Sequence, residues 1–123
     1  MRIVSLASGS SGNCILVDDG DTRLLVDCGI GPRTLKQRLA TAGAAPEDIA
    51  GVLVTHEHID HVRGLEAAVA KWHWPVLGSA GTLRGLPEAV RAHAKPVRER
   101  GHLGDLQFEL IPVAHDANEP TAY

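Results

Sequence analysis

A chain of 123 residues, 44% hydrophobic and 22% charged, has room for one ordinary domain and none of the bias of disordered or repetitive sequences. Its formal net charge of −3 gives no basic footprint for nucleic acid, although a metal site can still hold a phosphate locally. Two cysteines, Cys14 and Cys28, are too few for a disulfide scaffold, and apolar runs of only a few residues argue against a transmembrane helix.

The opening "MRIVSLASGSSGNC" has no apolar stretch of the signal-peptide kind. The expectation is a cytoplasmic protein with reduced thiols, in which both cysteines act as small buried apolar side chains. Residues 2–7 read as a short strand, and "SGSSGN" (residues 8–13) as a turn, because Gly, Ser and Asn tolerate tight backbone geometry. "CILVD" and "TRLLVD" flank "DGD" as a hairpin would. "CGIGP" then breaks the sheet. Pro32 suits a first helical turn, Leu35 and Leu39 recur at helical spacing, and Gly43 can end that helix.

"PEDI" reads as one helical turn, and "GVLVT" (residues 51–55) as a strand buried on both faces. Leu65, Ala68, Val69 and Trp72 mark one helix face, and "PVLG" is another short strand. "TLRGLPEAVRAHA" is helical but interrupted at Gly85 and Pro87. "LQFELIPVAH" alternates through Leu106, Phe108 and Leu110 as one half-buried strand. The order β, β-hairpin, α, β, α, β, α, β makes the chain an α/β layered domain, a mixed sheet with flanking helices over residues 1–123.

Between the strand "GVLVT" and the helix after it stands "HEHIDH", with His56, Glu57, His58, Asp60 and His61 inside six positions. Just past a strand end the backbone is nearly extended, so His56 and His58 project to the same side. Asp60 and His61 open the next helix, where the dipole favours a carboxylate. Imidazole and carboxylate are good zinc ligands, with bonds of about 2.0–2.2 Å, and imidazole is largely neutral near pH 7. A merely histidine-rich surface loop rarely places so many donors directly after a buried strand.

"THEHIDH" resembles the metal-binding signature of the metallo-β-lactamase fold superfamily. "SLASGSSGNC", "LLVDCG", "VTHEHIDHVRGL", "SAGT" and "PVAHDANEP" occur in the order seen in its YycJ-like branch of bacterial metal-dependent hydrolases. The resemblance implies the N-terminal βα half of an αββα sandwich. It implies a first metal held by His56, His58 and His115, a second taking Asp60 and His61, and a bridging water as nucleophile, which Asp60 also orients as a catalytic residue. It further implies that Asp27 of "VDCG" receives an imidazole N–H, and that Asp116 supports the site or the local structure. Ser8, Ser10 and Asn13 are expected to line the substrate mouth. His73, His93 and His102 fall outside every motif and read as surface or helix-end residues, and Trp72 as a core or helix-face residue.

Family members are longer than this chain, and the acidic bridge and final histidine of the second metal come from their other half. The domain is therefore expected to be incomplete at its C-terminus, with apolar sheet surface left uncovered and free to self-associate. The implied function is a metal-dependent, dinuclear zinc hydrolase of phosphodiester or nucleic-acid substrates, such as a DNA exonuclease; Mn²⁺ or Fe²⁺ suits the same donors. Two alternatives stay open: an inactive metal-binding fragment, or a hydrolase of lactams or thioesters. A purely structural zinc protein is disfavoured, because no thiolate lies near the cluster in sequence.

Overall fold

The computed structural model describes residues 1–123. β1 (Arg2–Ala7), β2 (Cys14–Asp18) and β3 (Arg23–Val26) form an antiparallel meander. β4 (Ile49–Leu53), β5 (Val76–Gly78) and β6 (Ala94–Pro96) continue the same sheet in parallel, and the six strands lie in chain order. Parallel neighbours need crossover connections. Here these carry α1 (Pro32–Thr41), then α2 (Ile59–Val62) and α3 (Leu65–Trp72), then α4 (Ala80–Arg84) and α5 (Glu88–Arg91).

The hydrophobic pattern explains this layering. α1 starts at Pro32, buries Leu35 and Leu39, and stops before Gly43, which takes the left-handed φ of 80° that favours glycine. α3 buries Leu65, Ala68 and Val69, while Trp72 is half-buried and stacks on Trp74 at 5.1 Å. Trp74 is buried, and its indole N–H donates to the Pro46 carbonyl in the short helical turn Pro46–Asp48. With Leu6, Leu16, Leu25, Val52, Val54 and Val76 from the strands, these side chains form the main core.

Each buried strand contributes to both faces. Leu24, Leu53 and Leu77 point away from the helices and pack against Leu103 and Leu106. Those two leucines belong to a hairpin of β7 (Arg100–Leu103) and β8 (Leu106–Glu109). The second face is therefore not bare, as expected from the sequence, but capped at its centre. Ile3 and Ile15, at the meander end, remain exposed at 67% and 37%. At the far end of the meander the buried Asp18 pairs with exposed Arg2 and half-buried Arg23. The Gly20 N–H and these guanidiniums hold its carboxyl at about 2, below the usual carboxylate range.

Several expected elements shift. The strand expected over 51–55 runs over Ile49–Leu53, so Thr55, His56 and His58 lie in the loop between it and α2, which carries His61. The helix expected to reach Ala94 ends at Arg91, and Ala94–Pro96 pairs with β5 instead. The single strand expected over 106–115 is broken at Leu110, whose N–H donates to the Glu99 carbonyl. Its remainder is a two-residue strand, β9 (Ile111–Pro112), paired with β10 (Thr121–Ala122). His115 thus sits in a loop between β9 and β10, not at a strand end. No helix is long and apolar enough to cross a membrane.

Candidate metal centre

The site forms beyond the carboxyl ends of β3 and β4, the edge where open α/β sheets place their ligands. β3 delivers Asp27, a non-glycine residue with φ 64°. That conformation is tolerable for aspartate and is held by the Asp27 N–H donating to the Leu53 carbonyl at 2.8 Å. Asp27 is 4% exposed. Its Oδ1 accepts from the Thr55 N–H at 2.8 Å and its Oδ2 from the Thr55 hydroxyl at 2.7 Å. The same Oδ2 lies 2.7 Å from His61 Nδ1.

These contacts fix two imidazoles. A carboxylate only accepts, so His61 donates from Nδ1 and is left with Nε2 as its donor atom for a metal. This bond, more than the opposing burial, holds the His61 pKa above the usual range. The Thr55 hydroxyl proton goes to Asp27, so the 2.9 Å contact with His56 Nδ1 requires that nitrogen to donate. That leaves Nε2 as the nitrogen of the neutral His56 ring that can accept. Burial, followed by the neighbouring imidazoles, holds its pKa below the usual range.

Backbone bonds seat α2 on Asn13 and on the "CG" turn. The N–H groups of Asn13 and Cys28 donate to the carbonyls of Asp60 and His61, each at 2.8 Å. Gly29 is required by proximity: a Cβ there would overlap the Asp60 carbonyl. The Asn13 amide nitrogen lies 3.3 Å from Asp60 Oδ2 and 3.5 Å from His61 Nε2. Asp60 Oδ2 is 3.6 Å from His61 Nε2.

His56, His58 and His115 place their ligand atoms within 4.8 Å of one another. His115 comes from the β9–β10 loop, with its ring 4.4 Å from that of His56 and 5.0 Å from that of His58. The His61 ring lies 4.0 Å from that of His56. Three imidazoles this close could hold one cation, and three protein donors would leave a coordination position open.

A metallo-β-lactamase superfamily family model matches residues 7–120. The chain belongs to the metallo-β-lactamase superfamily. The chain is 33% identical over 124 residues to an exodeoxyribonuclease YycJ of Bacillus anthracis, and 32% identical over 126 residues to an exodeoxyribonuclease WalJ of Streptococcus pneumoniae serotype 2. Each match covers 96% of this chain but 47% of the relative, so the chain spans about half the length of these relatives. Among solved structures, the Rm3 metallo-β-lactamase superposes with a TM-score of 0.79 at 18% identity, covering 97% of this chain and 51% of that one. MEM-A1, a subclass B3 metallo-β-lactamase from a soil metagenome, gives 0.77 at 20% identity, with 97% and 52% covered. These structural likenesses show the fold, a mixed sheet with flanking helices.

Of the residues singled out in the sequence, the structure brings together Asp27, His56, His58, Asp60, His61 and His115, with Asn13 touching Asp60. It does not bring Asp116 or the two serines to them. Ser8 and Ser10 are exposed in the turn, and Asp116 is exposed where the β9–β10 loop turns back, the Ala117 N–H donating to the His115 carbonyl. His73 ends α3 with φ 58°, His93 precedes β6 and His102 lies on β7, all outside the cluster. Cys14 and Cys28 are free and buried. Two participants escaped the sequence reading. Thr55 reads in the sequence only as a strand residue, and Glu57 only as one acid of the "HEHIDH" cluster with no role of its own; the one available signal is their place beside the clustered histidines.

Proposed function

We propose that this superfamily member is the metal-binding portion of a metal-dependent hydrolase that cleaves phosphodiester bonds in nucleic acid, as a DNA exonuclease does. The cluster of His56, His58 and His115 carries the reading, and the 33% and 32% identical exodeoxyribonucleases supply the substrate class. In this reading His56, His58 and His115 hold one divalent cation, and Asp60 and His61 contribute to a second. Zn²⁺ is the favoured ion, with Mn²⁺ or Fe²⁺ suited to the same donors. A bound cation would supply Lewis acidity and an acidified water, with a pKa near about 7 for zinc.

The chain's own residues prepare that chemistry. Asp27 accepts the His61 proton at Nδ1, and the Thr55 hydroxyl accepts that of His56, so both imidazoles offer Nε2. In this reading Asp60, partly exposed and held by Asn13, would orient an attacking water. Asp27 is too buried and too fully bonded to do so. The buried free thiols accord with a reducing cytoplasm.

A second reading, an inactive metal-binding fragment, is favoured by one observation: Asp60 and His61 form a pair, not a group of three donors. Metal content and hydrolysis of an activated phosphodiester, measured on the purified chain, separate the two. Turnover abolished by His58→Ala supports the hydrolase; bound metal without turnover supports the fragment; no bound metal ends both.

A further inference from the structure

Glu57 stands between two candidate ligands but leaves their cluster. Alternate residues of an extended segment face opposite ways, and the Glu57 side chain lies against Gly85. A Cβ on Gly85 would come within 2.8 Å of Glu57 Cγ, so glycine is what leaves room for the carboxylate. The two carboxylate oxygens lie 3.3 and 3.0 Å from the backbone nitrogen of Asn118, whose N–H they accept. Asn118 is three residues beyond His115.

The same short segment is tied to α4. The Asn118 amide donates to the Gly81 carbonyl at 3.2 Å, and the Gly81 N–H donates to Glu119 Oε1 at 2.8 Å. The hydroxyls of Ser79 and Thr82 converge on the Glu119 carbonyl at 2.7 and 3.1 Å. "SAGT" thereby gains a task that the metal centre itself does not give it. The loop needs these ties. His115, Asp116, Asn118 and Glu119 are exposed, and exposed segments with few apolar contacts open easily. Bonds to an ionised carboxylate are among the stronger ones available.

From this we infer that Glu57 is a positioning residue for His115. The "HEH" segment supplies two donors through its histidines and delivers the third through its glutamate, which latches the β9–β10 loop. The inference rests on reading His115 as a ligand, and it makes ligand supply cooperative: the segment that binds the cation also sets the geometry of the incoming histidine.

Four chains test it: the 123-residue protein, Glu57→Ala, His115→Ala and the double variant. Amide exchange at Asn118 without metal should rise about ten-fold in Glu57→Ala. Co²⁺ affinity, by competition and by the visible spectrum that reports coordination, should fall about ten- to a hundred-fold. In the His115→Ala background the further loss should stay within about two-fold, because the latch then has no ligand to place. Glu57→Gln, which keeps one acceptor oxygen, should recover part of each loss and carries the test where the alanine variant does not fold. Unchanged exchange, or an equal affinity loss in both backgrounds, overturns the latch. A parent chain that binds no Co²⁺ overturns the metal-site reading instead, and exchange alone then decides the latch.

Discussion

His61 and His115 lie at nearly the same distance from His56, with ring centroids at 4.0 and 4.4 Å, yet the chain holds them by different means. His61 is gripped from beneath by a buried carboxylate at a strand end, and its own carbonyl is bonded to the Cys28 N–H. His115 rides on an exposed loop tied to other elements by bonds three and four residues away, at Asn118 and Glu119. One ring is held at the sheet edge; the other sits on a loop tied down at Asn118 and Glu119. The sheet-held side therefore couples the site to global stability, whereas the loop-held side can change geometry while the fold stays intact.

The largest expected effect removes the imidazole common to both sides. His56→Ala should cut metal affinity by more than the about ten- to hundred-fold typical of supporting hydrogen-bond partners, measured by chelator competition. An unchanged affinity would break the comparison at its root. Asp27→Ala attacks the sheet-held side. It strands the Thr55 N–H and hydroxyl and places alanine at a positive φ, so urea unfolding should show a loss of about 2–4 kcal/mol. Asp27→Asn, which tolerates that φ, should lose less. A comparable loss from Glu57→Ala would mean the two sides are not differently built.

A smaller effect follows from pH. The folded pKa of His61 is raised above 6.5 by Asp27. In the metal-free chain its stabilising contribution is therefore fully present below about pH 6.5 and is lost as pH rises through the folded value. Metal binding runs the other way, since its ligands must lose protons. Urea midpoints in chelator across this range should show the decline, and Asp27→Asn should flatten it. Smallest is Thr55→Val, which should cost about 1–3 kcal/mol and shift the His56 tautomer, visible as a modest fall in metal affinity.

Much of the architecture was legible in local pattern. Leu35 with Leu39, Leu65 with Ala68 and Val69, and the apolar run into Val54 all report one helix or strand face, because burial imposes its period on neighbouring residues. The strands missed, β6, β7 and β10, are short, and β6 and β7 are mostly unburied: Arg100–Leu103 buries only Leu103. Such segments are strands because a neighbour's backbone pairs with them, and sequence periodicity carries no trace of that. The supposed long strand through Phe108 and Leu110 failed for a related reason. Leu110 is buried as its alternation suggests, but its N–H bonds to Glu99 and turns the chain.

The sequence by itself determined the layered class, the order of most elements and the donors that lie within six residues of each other, since these depend on nearest neighbours along the chain. Only the tertiary structure decided which distant groups serve them. Asp27 meets His61 across 34 positions, Glu57 meets Asn118 across 61, and the β7–β8 hairpin caps the second face of the sheet. Those contacts exist because strand ends and crossover loops converge on one edge of the sheet. That convergence follows from packing helices and a hairpin onto the two faces, and no local spacing encodes it.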